Sequence, residues 1–243
     1  MRRSAFVLAA MFVTGAAFAQ TPLSPLQLAV ACAPPPTYEG APAGALRIIG
    51  AQDAIPRALF SNRDLLVVGG GTAAGVELGQ EFFIRRAITF GTSKQTRGAK
   101  TLGWLRVVAV NASTAVALVD HVCGGIVSGD YLEPFVVPTV SAEIEKNETV
   151  GQPDFSNLAH IVTGNEDRAV VGAGDFVLID WGQAQGLAAG ARFAIYRDVG
   201  VGGLPLASIG EGVVVSTGSH MALTRVTRTS DAIYSGDYIA FRK

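Results

Sequence analysis

The feature that most constrains the fold is an internal repeat. Residues 64–86 align without a gap on residues 175–197, with eight identities over 23 positions. The identities include Gly71, Gly75 and Gly79 with Gly182, Gly186 and Gly190, and then Phe82, Ile84 and Arg86 with Phe193, Ile195 and Arg197. Residues 103–131 align on 210–238 with ten identities over 29 positions, among them the shared Ser-Gly-Asp-Tyr at 128–131 and 235–238. Two blocks in the same order point to a tandem duplication, so a plausible fold must be one the chain can build twice. Each copy has the size of a small domain.

Within each block the apolar period is two, as in strands, rather than the 3.6 of helices. Phe82, Ile84 and Arg86 alternate with Phe83 and Arg85, and residues 102–110 and 114–119 are Val-rich runs. Asn111-Ala112-Ser113 and Thr217-Gly218-Ser219 read as matching hairpin loops. The 29 Gly and 11 Pro suit a turn-rich all-β chain, and 49% hydrophobic with only 16% charged residues supplies a sizeable core and excludes wholesale disorder. The expectation is an all-β protein: two tandem small β-barrel domains related by internal duplication, preceded by an extended N-terminal arm. The first barrel would occupy residues 46–135 and the second 159–243, joined by a Pro- and Glu-containing linker at 136–158. The arm, residues 20–45, carries Pro34-Pro35-Pro36.

Residues 1–19 begin Met1-Arg2-Arg3, continue through an apolar run to Ala16 and end Ala17-Phe18-Ala19. That is the pattern of a secretory signal peptide cleaved after Ala19, so export to a periplasmic or outer-membrane-associated location is expected, with no transmembrane segment in the mature chain. An oxidising compartment permits a disulfide between the two cysteines, Cys32 and Cys123.

Several motifs invite chemistry. Gly69-Gly70-Gly71-Thr72-Ala73-Ala74-Gly75 has the look of a dinucleotide-binding turn, but an alternating strand pattern follows it, and only two of its glycines recur in the second copy. Turn geometry is the expected role, with no cofactor. Asp130 and Asp237 follow glycines at turns, where a carboxylate accepts backbone N–H groups and sets up the last strand; this reading leaves them structural. His121 and Cys123 share a strand face, but a bridge to Cys32 removes the thiolate, so no metal is expected. With no catalytic residues assembled, the chain is not read as an enzyme. A net charge of −1 excludes a globally basic nucleic-acid binder. One stretch of the first copy is locally basic: Arg85, Arg86, Lys94, Arg97 and Lys100 form a possible loop for an anionic partner. Trp181, in a turn after a strand, is the possible sugar platform.

The residues at 174–197, 209–215 and 236–238 carry a further pattern: Gly-Asp-x-Val-x-Ile, then Gly-Leu-x-x-Gly-x-x-Phe-x-Ile-Tyr-Arg, Ile-Gly-Glu-x-Val-Val and Gly-Asp-Tyr. It resembles the small β-barrel domain found at the C-terminus of flagellar assembly protein T and after lysin-motif (LysM) modules in bacterial envelope proteins. The resemblance implies a non-enzymatic envelope protein with no catalytic residues to carry over. The function expected is that of an exported structural or protein-interaction protein of the cell envelope, with an envelope protein or cell-wall polymer as partner; the alternative is a peptidoglycan- or polysaccharide-binding module.

Overall fold

The computed structural model describes residues 22–37, 40–53, 55, 57–90, 96–144, 150–165, 168–200, 202 and 205–243. The expected signal peptide, residues 1–19, lies outside the described residues, as does Lys94.

The chain opens with a helix, α1 (Pro25–Cys32), where an extended arm was expected. The reason is local: Ser24 is the N-cap, its hydroxyl accepting from the Gln27 backbone while the Gln27 side chain accepts from the Ser24 N–H, and Pro25 sits where a missing N–H costs nothing. Six strands of the first half follow: β1 (Ile48–Ala51), β2 (Leu65–Val68), β3 (Glu81–Phe90), β4 (Thr96–Val110), β5 (Ala115–Val122) and β6 (Tyr131–Pro134). The second half contains β7 (Ala159–Gly164), β8 (Val170–Val171), β9 (Phe176–Ile179), β10 (Arg192–Arg197), β11 (Ala207–Thr217), β12 (Ala222–Thr229), β13 (Ile233–Tyr234) and β14 (Tyr238–Phe241).

The expectation of two barrels is corrected here, because only the second half closes. Its strands run β10-β11-β12-β9-β7-β14 as a closed barrel, with β8 and β13 as a separate pair, whereas the first half is an open six-stranded sheet, β1-β2-β5-β4-β3-β6. The cause lies in the first strand of each half. β7 is six residues long and pairs both with β9 and, through Tyr238↔His160 and Ile239↔Ala159, with β14. β1 has four residues, and the chain there meets the far edge at one isolated bridge, Arg47↔Tyr131, with backbone hydrogen bonds of Leu46 and Ile48 on either side of it. One bridge does not make a ladder.

Local devices nonetheless recur. A three-residue 3-10 turn, Thr72–Ala74 in one half and Gln183–Gln185 in the other, follows the second sheet strand and ends at a glycine with φ of 76° or 78°. The strands β3 and β10 follow, as the alternation required. Gly71 and Gly182 allow this turn to lie on the neighbouring hairpin loop, since a Cβ there would come within 2.0 Å of the Asn111 carbonyl oxygen or 2.4 Å of that of Gly218. Those loops, Asn111–Thr114 and Gly218–Met221, close β4–β5 and β11–β12 as expected.

Each half has its own inner core, built by alternate residues such as Leu66, Ile84, Leu105 and Val119 in the sheet and Val177, Phe193, Val214 and Ile239 in the barrel. α1 lies between the halves. Its Leu26, Ala29 and Val30 pack on the barrel's outer face, while Ala31, Leu28 and Cys32 join Phe83, Trp104 and Cys123 of the sheet. The linker takes part too, with Ile144 buried on the barrel's outside.

Candidate functional site

The two cysteines are joined as expected: Cys32, the last residue of α1, is bonded to Cys123, just past β5. A crosslink over 91 residues of sequence stabilises a fold by about 2–4 kcal/mol in general, largely by restricting the unfolded chain. Beside it His121 stacks on Trp104 with ring centroids 4.5 Å apart, and partial burial lowers the histidine's pKa.

The basic stretch does not form one exposed loop. Arg85 is buried, its guanidinium 2.7 Å from Glu133 and donating at 2.8 Å to Thr101, whose hydroxyl in turn donates to the Ala33 carbonyl. It also lies over the Phe83 ring. Burial lowers the Arg85 pKa, against the opposing pull of Glu133. Arg86 grips Asp130 with two bonds of 2.7 and 2.8 Å. Arg97 is exposed and Lys100 half-buried, both on β4 rather than in a loop. The β3–β4 hairpin that carries them bridges the halves, because Ile88 packs into the apolar cluster on the barrel's outside.

Arg86 has its counterpart in Arg197, and the aspartate that each of them holds was not expected from the sequence. Arg197 grips Asp237 with two bonds of 2.8 and 2.6 Å, and the two acids are almost wholly buried. Asp130 accepts the Val127 N–H and Asp237 the Tyr234 N–H, the backbone role expected of them. In both halves the arginine also donates to a turn carbonyl, Gly125 or Ala232. The side-chain bond to its aspartate raises each arginine's pKa. The signal for the pair was available, since all four residues are identities of the alignment.

Trp181 is half-buried, stacked on Phe241 with ring centroids 5.4 Å apart and packed on the barrel's inner core. Trp104 lines a groove of about 640 Å³ between α1 and the sheet, together with Leu23, Gln27, Glu81, Phe135 and Val137.

The largest difference between the halves is on their outer faces. On the barrel, Val162, Phe176, Leu178, Val213, Val215 and Leu223 form an apolar face roofed by α1, Ile88, Val140 and Ile144. Five of them align on the sheet with Leu65, Val67, Arg106, Val108 and Val116, four of these apolar, and Ile49 on β1 follows the core residue Ile48 as Val162 on β7 follows Ile161. Leu65, Val67, Val116 and Arg106 lie in one strip, since Leu65 pairs with Leu118, Val67 with Val116, and Leu118 with Arg106 across β2, β5 and β4, and Ile49 and Val108 extend it along β1 and β4. This strip is open: Ile49 is 57%, Leu65 40% and Val108 38% exposed, against 9%, 3% and 3% at Val162, Phe176 and Val215. Arg106, the one charge among them, is paired with Asp120 by two bonds of 3.1 Å. Contiguous apolar surface of this kind marks interaction sites.

Among the described residues no helix is long and apolar enough to cross a membrane. No family model matches the chain, and no curated protein resembles it significantly.

Proposed function

We propose that this chain is an exported, non-enzymatic interaction protein of the bacterial cell envelope, periplasmic or outer-membrane-associated, that holds a partner protein on the open outer face of its first half. The observation that carries this reading is the contrast just described: one apolar face is roofed by the chain's own helix, and the aligned face is left uncovered. The occupant is an apolar helix of a partner protein, the same class of element that α1 presents to the barrel. Continuity supports that choice, because the strip extends along β4 from Trp104, already packed against α1, to Arg106 and Val108. The secretory pattern of residues 1–19 and the disulfide fit an oxidising compartment outside the cytoplasm.

A photo-crosslinking residue in place of Val108 tests the reading in cells. The expected result is a discrete crosslinked protein, joined through an apolar helical segment, whose yield falls at least ~10-fold when Leu65→Glu places a charge in the strip. Crosslinks only within the chain itself would overturn the reading. Sedimentation of the purified protein with peptidoglycan that Leu65→Glu abolishes would replace it with the wall-polymer alternative.

A further inference from the structure

Apart from that strip, the molecule gathers three metal-ligand side chains at the junction of α1 and β5. The ligand atoms of Cys32, His121 and Cys123 all lie within 4.8 Å of one another. His121 and Cys123 are two apart, and Cys32 is brought to them by the helix. Tetrahedral zinc with Zn–S of ~2.3 Å and Zn–N of ~2.0 Å places its ligand atoms about 3.5–4 Å apart, so small shifts of three side chains accommodate it.

Two further features favour a site over a chance cluster. The imidazole is held in place by its stack on Trp104, with ring centroids 4.5 Å apart. The helix is also held without the crosslink: Ala31 is buried, Leu26, Ala29 and Val30 pack on the barrel, Leu28 packs beside Trp104, and Thr101 donates to the Ala33 carbonyl at 2.9 Å. Breaking the bond therefore leaves both sulfurs beside His121.

We propose that reduction of the Cys32–Cys123 bond converts this junction into a binding site for a thiophilic divalent cation of the zinc class, held by both sulfurs and one ring nitrogen of His121, with a fourth position open to solvent. The reduction is a two-electron step. A dithiol reductant becomes a disulfide as the Cys32–Cys123 bond breaks, and its two protons pass to the two cysteine sulfurs. Binding of the cation then releases those two protons to solvent. In the oxidised protein neither sulfur is a thiolate, so the disulfide gates the site.

The test uses the full mature chain, reduced anaerobically with a water-soluble phosphine and titrated with Co²⁺ alone. The expected result is sulfur-to-cobalt charge-transfer absorption that saturates at one equivalent, is displaced by Zn²⁺, and is absent from the oxidised protein. His121→Phe, which keeps a ring on Trp104, should weaken binding by at least ~10–100-fold, the loss typical even of a group that only supports a ligand. The Cys32→Ser/Cys123→Ser double variant, folded by circular dichroism, should show no charge transfer. Cobalt bound without charge transfer, equal affinity in His121→Phe, or loss of the near-ultraviolet tryptophan signal on reduction would each overturn the proposal. The last would show that α1 departs and takes one ligand with it.

Discussion

The two halves share their smallest parts and differ in their largest. Each has a glycine-ended 3-10 turn lying on a hairpin loop, and each has an arginine gripping a buried aspartate, Arg86 with Asp130 and Arg197 with Asp237. Yet one half is a closed barrel with a covered outer face and the other an open sheet with an uncovered one. Identity at turn and ion-pair positions preserves local geometry, but closure turns on the length of one strand. Covering turns on where a single helix lies.

The largest expected effects test the shared part. Arg86→Ala and Arg197→Ala each leave a buried carboxylate without its cation, so each should cost about 3–5 kcal/mol in chemical denaturation. Near-equal losses would confirm that the pair serves both halves alike. A loss confined to Arg197→Ala would mean that the open sheet tolerates what the barrel does not.

The next test addresses the face that differs. Leu178 is fully buried beneath α1 and the linker, while the aligned Val67 is half-buried in the open strip. Leu178→Ala should cost about 2–5 kcal/mol. Val67→Ala should stay under about 1 kcal/mol, as surface changes do, and comparable costs in thermal unfolding would break the contrast between covered and open faces.

The smallest effect concerns pH. Burial lowers the His121 pKa from its ordinary 6.5, so the unfolded chain takes up the proton before the folded one does. The folded state should be unpenalised above pH 6.5 and lose stability as pH falls below it, down to the folded pKa. His121→Phe should flatten that part of the stability profile.

What was legible in the sequence was local. Strand alternation, the two hairpin loops, the turn glycines and the backbone role of Asp130 and Asp237 all follow from residues a few positions apart. The Cys32–Cys123 bond was legible for a different reason, because two cysteines permit only one internal pairing. The helix α1 was also written locally, in Ser24-Pro25-Leu26-Gln27, but the prolines at 34–36 drew the reading towards an extended arm. For two residues of the basic stretch, charge was counted without partners. Arg85 and Arg86 meet Glu133 and Asp130 only after β6 is laid beside β3.

The sequence by itself therefore determined the strand content, the repeated turns and the crosslink, all set by short-range backbone chemistry or by simple pairing. The tertiary structure alone decided that one sheet closes while the other stops at a single bridge, and that α1 roofs one apolar face and leaves its counterpart open. Those outcomes depend on contacts between residues distant in the chain. Similar local patterns are compatible with either result, and a two-residue difference in strand length together with the placement of one helix selects between them.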